Sequence, residues 1–259
     1  MKAYYLLLVL VITSCGSDEI IPDGTKILSI QHSENPLGLL PKAKEWEEKI
    51  IYDNMGRIVK VTEALSPSSY RTFERDQLGR IVHILTFDGV TNSLLNRDSI
   101  TYNNDSPYKN KLFNFSINSG DNLPLTFIYK YYYNTSNEVI RRETFFVATN
   151  QNIIVEKYFW INGDINRKEL YRYTPNEFLA YEFFYEYDTK VNYKGSLPMY
   201  LNDPLNQTNN NIIKESFNDY YGDWEALCNP CITGYKYNAS SLPYVINASW
   251  GSRIDITYE

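Results

Sequence analysis

One short unit, met twice in close succession, limits what this chain can fold into. Ile50-Ile51-Tyr52-Asp53-Asn54-Met55-Gly56-Arg57-Ile58-Val59-Lys60-Val61 places two β-branched runs on either side of a polar tetrapeptide. The Asp53 carboxylate can accept from the backbone amides ahead of it, and Gly56 can take the positive φ that closes a type I turn with a G1 bulge. The segment therefore predicts a hairpin. Asp76-Gln77-Leu78-Gly79-Arg80-Ile81-Val82 repeats the Asp-x-x-Gly-Arg-Ile-Val core, so the hairpin is read as the unit of the fold. Connections this short force sequence neighbours to pair antiparallel, because a parallel crossover needs a dozen or more residues.

The rest of the chain agrees with a sheet. It holds 24 Tyr and 12 Phe, residue types that suit a pleated, half-buried surface, and few segments carry a helical period. Aromatic and β-branched runs bounded by Asn, Asp, Gly or Pro follow one another from residues 26–30 to residues 253–258, and predict about 14 to 17 strands. The expected fold is all-β, a long antiparallel meander curled into a barrel-like or half-barrel soluble sheet, with helices nearly absent. Residues 189–210 break the rhythm with Gly195, Pro198, Pro204 and a run of asparagines. A connection of that length is functional or disordered, and Leu197, Met199, Tyr200, Leu201 and Leu205 suggest that part of it packs down.

At the start of the chain, Met1-Lys2 is positive, residues 3–12 form an uncharged apolar run, and Thr13-Ser14 precede Cys15. The run falls short of the roughly 20 residues that span a bilayer as a helix and has the length of a secretory signal. Ile12-Thr13-Ser14-Cys15 resembles a bacterial lipobox, which implies that Cys15 is acylated and becomes the first mature residue. Gly16-Ser17-Asp18-Glu19 resembles the acidic tag of surface lipoproteins of the bacteroidete type; a solvated acidic tether is the plainer alternative. The expected organisation is a signal peptide at 1–14, a lipidated cysteine and tether at 15–24, and one domain over 25–259, since no Gly/Ser-rich or Pro-rich linker divides the chain. A net charge of −6 without long blocks of either sign argues against nucleic acid, which calls for clustered Lys and Arg.

The Tyr-Asp-x-x-Gly-Arg-Ile units resemble the YD repeats of Rhs and teneurin-type proteins, fully at residues 52–58 and partly at 76–81. Tyr133-Asn134, Trp160-Ile161-Asn162-Gly163, Tyr173-Thr174 and Tyr187-Asp188 keep an aromatic beside a turn residue but lose the Gly-Arg pair. The lipobox, the hairpins, the loop opened by Tyr187-Asp188-Thr189-Lys190, the Asn211-Ile212-Ile213-Lys214-Glu215 run and the runs at 234–238 and 254–258 together resemble an uncharacterised family of bacteroidete lipoproteins with a porin-like sheet. The resemblance implies a fold and an outer-membrane, cell-surface address, and no catalytic residue. Charge argues against a membrane-embedded barrel: Lys42, Lys44 and Glu48 fall on one face of the strand around residue 46, and Glu45, Glu47 and Lys49 on the other. A lysine facing hydrocarbon near the midplane costs about 2–4 kcal/mol.

Chemistry-bearing motifs are sparse. His32 is expected in a loop and His83 within a strand, with no partner motif beside either. No nucleophile elbow, phosphate loop, zincin helix or dinucleotide fingerprint is present. Glu182 and Glu186 share a strand face but stand about 13 Å apart, beyond the roughly 5–9.5 Å of glycosidase pairs. Glu45 and Glu47 are closer, in a strand laced with Lys44 and Lys49. Neither pair makes a catalytic site, no cofactor or metal is expected, and the chain is read as a non-enzyme. Cys228-Asn229-Pro230-Cys231 has thioredoxin-like spacing without the helix start that redox chemistry needs. A local disulfide suits an exported chain, with free thiols or redox work as alternatives.

Aromatic rows are the remaining signal. Leu179, Tyr181, Phe183, Tyr185 and Tyr187 share one face of a strand, as do Leu125, Phe127, Tyr129, Tyr131 and Tyr133. Packing explains such rows, since facing aromatics stabilise a sheet by about 0.2–1 kcal/mol per pair. The alternative is a binding platform with Tyr181, Tyr185 and Tyr187 at its centre, helped by the 189–210 loop. The expected function is a lipid-anchored, ligand- or partner-binding surface protein, its partner a glycan, a peptide or an outer-membrane protein. A structural or adhesive envelope role and an exported glycan hydrolase are the alternatives. A carboxylate pair in a pocket would favour the hydrolase, a concave aromatic groove would favour binding, and a filled interior with charged faces would favour the structural role.

Overall fold

The computed structural model describes residues 26–34, 44–63, 69–102, 112–119, 125–147, 151–173, 176–197, 203–222, 228–249 and 251–259. The signal segment, Cys15, the acidic tether and residues 198–202 of the long loop lie outside them. The described residues form sixteen strands: β1 (Ile27–Glu34), β2 (Lys44–Tyr52), β3 (Ile58–Glu63), β4 (Ser69–Arg75), β5 (Ile81–Asp88), β6 (Leu94–Tyr102), β7 (Leu112–Ser119), β8 (Leu125–Tyr133), β9 (Val139–Phe146), β10 (Gln151–Ile161), β11 (Asp164–Tyr173), β12 (Glu177–Val191), β13 (Asn210–Asp219), β14 (Cys231–Tyr237), β15 (Pro243–Ala248) and β16 (Ser252–Tyr258). Among the described residues the helical turns are two 3-10 turns, at Tyr193–Ser196 and Pro204–Gln207. Every strand pairs antiparallel with its sequence neighbours, and β1 pairs with β16 from Ile27↔Tyr258 to Glu34↔Ser252. The meander thus closes on itself as a barrel.

Turn chemistry explains the repeat. Asp53 Oδ1 accepts from the amides of Met55 and Arg57, both at 2.9 Å, and Oδ2 accepts from Arg57 Nε at 2.8 Å. Asp76 makes the same three bonds to Leu78 and Arg80 at the same distances. Gly56 and Gly79 close the turns at φ 77° and 81°, as the type I turn with G1 bulge requires. The unit runs further than its glycines suggest. Asn134 accepts from Ser136 and Glu138 with Asn137 at φ 70°, and Asn238 accepts from Ser240 and Leu242 with Ser241 at φ 61°. At Asn134 the polarity reverses: its amide donates to Glu138 Oε2 at 2.7 Å where aspartate accepted from arginine. Tyr187-Asp188, in contrast, makes no turn, because β12 continues to Val191. The long connection shrinks accordingly to 192–209.

A second repeat follows from the first. In six of the even-numbered strands an aromatic at or near the end reaches back to a carbonyl at or near the start of the strand before it. Tyr52 donates to Ile27 O at 3.0 Å, Tyr102 to Ile81 at 2.9 Å, Trp160 to Val139 at 2.7 Å, Tyr187 to Ile165 at 2.7 Å, Tyr235 to Ile212 at 2.9 Å and Tyr258 to Pro243 at 2.8 Å. These bonds tie the turn end of the barrel into a girdle. Inside it sit Ile27, Ile58, Ile81, Val139 and Ile165, each at most 6% exposed.

The long connection closes this same end. Tyr193 and Leu197 join the core cluster, and Pro204 is buried. Asn209 N bonds Gly163 O at 3.1 Å and Asn210 N bonds Asp164 Oδ1 at 3.0 Å, which pins the segment to the β10–β11 turn. The described parts of the connection thus pack onto the core.

Candidate functional site

The predicted tyrosine row faces inward. Tyr181, Phe183 and Tyr185 are 1%, 3% and 5% exposed, and Tyr187 spends its hydroxyl on the girdle. Tyr181, Phe183 and Tyr185 thus belong to the core cluster, with Tyr187 partly buried against it. The row also begins one residue off. The register steps from Leu170↔Tyr181 to Tyr171↔Leu179, so Ala180 is an extra residue and Phe178, not Leu179, packs on the core. Across this face runs a buried polar network: Arg142 pairs with Glu156, whose other oxygen stands 3.8 Å from Lys168 Nζ. Burial pushes the hydroxyls of Tyr158 and Tyr185 far up, and both lack a hydrogen-bond partner.

A second inward cluster lies nearer the opposite end, on β1 to β6. His32, expected in a loop, belongs to β1 and stacks on Trp46 with ring centroids 4.6 Å apart. Its Nε2 stands 3.5 Å from Glu48 Oε2. Glu48 lies directly opposite Glu63 across β2 and β3, a pairing that sequence spacing hid because fifteen residues separate the two. Glu63 is committed to an ion pair with Arg71 and accepts from Ser69 Oγ at 3.0 Å. Burial pushes Asp98 up, offset in part by Asn96 and by the charge of Arg71. Like charges face to face destabilise a sheet, and Arg71 offsets the charge of Glu63. Among the described residues no group of three or more His, Cys, Asp and Glu is placed to hold a metal ion.

The carboxylates weighed from the sequence lie on the outer wall. Glu47 pairs with Lys49 at 3.4 Å, Glu182 with Arg167 at 3.2 Å and Glu186 with Lys214 at 2.5 Å. Arg141–Glu143 and Arg253–Asp255 add two more outer pairs, each at 2.7 Å. The wall is tiled with charge at mid-strand.

Among the described residues, the ladder between β13 and β14 is the shortest in the wall. β13 and β14 share only the pairs Glu215↔Cys231 and Lys214↔Ile232. On the loop side a side chain stands in for a strand: Asn229 Oδ1 accepts from Phe217 N at 3.2 Å and its Nδ2 donates to Phe217 O at 2.8 Å. Cys228 and Cys231 flank it and are joined in a disulfide. On the turn side a groove of about 460 Å³ is lined among others by Glu186, Asp188, Gly234, Tyr235 and Tyr237, and the ladder stops two residues short of the Ile212 carbonyl, as the β1–β2, β5–β6, β9–β10, β11–β12 and β15–β16 ladders stop short of theirs. Nothing in the sequence marks the short ladder except Gly234 inside a strand, which can signal close backbone approach.

No protein-family model and no curated protein matches the chain. Its fold is similar to that of a porin-like protein from Bacteroides uniformis ATCC 8492, with TM-score 0.57 at 9% identity over 91% of this chain and 98% of that one. A porin-like protein from Bacteroides vulgatus ATCC 8482 aligns with TM-score 0.44 at 13% identity, over 91% and 99%. The TcdB2-TccC3-Cdc42 structure aligns with TM-score 0.33 at 10% identity, over 79% of this chain and 12% of that one. At such identities the likeness is one of fold.

Proposed function

We propose that the chain is an exported envelope protein, held at the outer membrane through acylated Cys15, whose barrel recognises a partner with its wall and carries out no catalysis. The observation that carries this reading is the distribution of side chains. A pore needs an aqueous lumen inside and an uncharged belt outside. Here the described inward faces hold a packed core from Ile30 to Ile256, and the outer strand faces carry ion pairs. A filled scaffold presents surfaces, and fold likeness to porin-like proteins does not supply a transport activity.

The filled interior also suits a structural envelope role, but the groove beneath β13 and β14 has tyrosine in its lining and favours binding. Glu48 and Glu63 are close enough to raise hydrolysis. Glu63, though, is held by Arg71 and Ser69, which takes it from the role of a free acid or nucleophile. Lipoprotein acylation supplies the multiple chains that stable anchoring requires. Radiolabelled palmitate should enter the wild type and not Cys15→Ala; equal labelling of both would overturn the anchor.

A further inference from the structure

We propose that the turn end of the barrel is a lipid-docking surface, seated by an apolar rim among the headgroups of the bilayer that holds Cys15. The proposal rests on the reading that Cys15 is acylated, and adds which end of the protein meets the lipid. The chain enters the barrel at the turn end. Lys26 pairs with the Glu259 carboxylate at 3.4 Å and its Nζ stands 6.0 Å from the centre of the Tyr52 ring, beside the residues that open β1 and end β2 and β16. Lys26 follows Cys15 by eleven positions, a reach of at most about 40 Å. That exceeds the length of a nine-residue strand such as β2, roughly 30 Å. The tether therefore brings the turn end to the membrane without fixing how the barrel stands on it.

The surface of that end supplies the orientation. Leu28, Ile51, Leu78, Ile161, Val191 and Tyr244 are 41% to 68% exposed. They stand at the turn-side ends of β1, β2, β10, β12 and β15 and in the β4–β5 turn, at intervals round the circumference of the barrel. Apolar side chains set round one end of a closed barrel can all touch a flat bilayer at once, whereas a protein partner would cover only an arc of them. Charge on the rim is neutralised locally, since Asp53 pairs with Arg57 at 2.7 Å and Asp76 with Arg80 at 2.6 Å. Val90 and Tyr220 are exposed at the opposite end, but the tether does not enter there. Interfacial binding grows with the apolar area buried among the headgroups, and a tyrosine suits that boundary because its ring is apolar and its hydroxyl can stay in water.

The test uses the full mature protein, acylated and bound to vesicles of phosphatidylethanolamine and phosphatidylglycerol that carry a nitroxide on the headgroup. A hydrophilic fluorophore is attached to Leu78→Cys, Ile161→Cys or Val90→Cys, while the Cys228–Cys231 disulfide keeps those two sulfurs from the reagent. Flotation with the vesicles reads the anchor, and quenching reads the seating. The rim predicts that the labels at Leu78 and Ile161 are quenched and that the label at Val90 keeps its emission. Val191→Asp with Tyr244→Asp, both at exposed positions, should float as before with an unchanged melting temperature and lose the quenching at Leu78 and Ile161. If that double variant fails to fold, the labels on the wild-type rim still decide. Flotation with Leu78 and Ile161 no more quenched than Val90 overturns the rim and leaves the anchor standing, and quenching that survives the two aspartates in a folded protein also overturns it. A protein that fails to float overturns the anchor and the seating with it.

Discussion

At the scale of the residue, the turn aspartates couple stability to acid. The amide and guanidinium of Arg57 hold Asp53 below its ordinary value of 3.8. Burial pushes Asp76 up, but the bonds and charge of Arg80 outweigh it and the net shift is downward. A carboxyl whose folded value is depressed contributes stability that is complete above the unfolded value and is lost as pH falls through the folded one. The melting temperature should therefore drop below about pH 4, and Asp53→Asn with Asp76→Asn should flatten that drop while keeping the turn, as Asn134 does. Parallel melting curves for the two proteins between pH 7 and 3 would count against the coupling. The left-handed position gives a companion test. Gly79→Ala puts a Cβ at φ 81° and should cost about 1–2 kcal/mol, whereas Asn137→Gly removes one at φ 70° and should not destabilise.

At the scale of the element, the girdle turns hairpins into a barrel. Tyr102→Phe removes one hydroxyl and leaves Ile81 O without its donor, at a cost of about 0.5–1.5 kcal/mol. In a domain of this size that lowers the melting temperature by about 2–4 °C. Tyr132 has the same hydroxyl on the outer wall, where it donates to Glu143 in solvent, and Tyr132→Phe should be near neutral. Calorimetry of the two variants compares like chemistry in two settings; equal effects would mean that the girdle has no special weight.

At the scale of the whole molecule, inside and outside are both polar but differ in kind. The inner network is buried and constrains the core, whereas the outer pairs are exposed and each contributes little, commonly below about 1 kcal/mol. Tyr185→Ala should thus act as a core truncation, costing about 3–5 kcal/mol and several degrees of melting temperature, with binding to a glycan or outer-membrane array unchanged. A variant that kept its melting temperature and lost binding would return the inner tyrosine row to the role of ligand platform. The packed core carries a further expectation, that the purified protein leaves the conductance of a planar lipid bilayer unchanged.

The sequence by itself determined what is local. Asp53-x-x-Gly56-Arg57 contains all partners of its own turn, so hairpin, antiparallel pairing and all-β class were legible before any coordinates. The face shared by Tyr181, Phe183, Tyr185 and Tyr187 was legible for the same reason, since alternation is a property of one strand. The tertiary structure decided whatever depends on register between distant segments. Closure needs β1 to meet β16 across more than 200 residues, and nothing near Ile27 announces Tyr258. The extra residue at Ala180 shifts a face by one position through pairing with β11. Glu48 meets Glu63 only because β2 and β3 align there. The short ladder between β13 and β14, last, depends on how two separate strands meet, which neither strand's own alternation specifies.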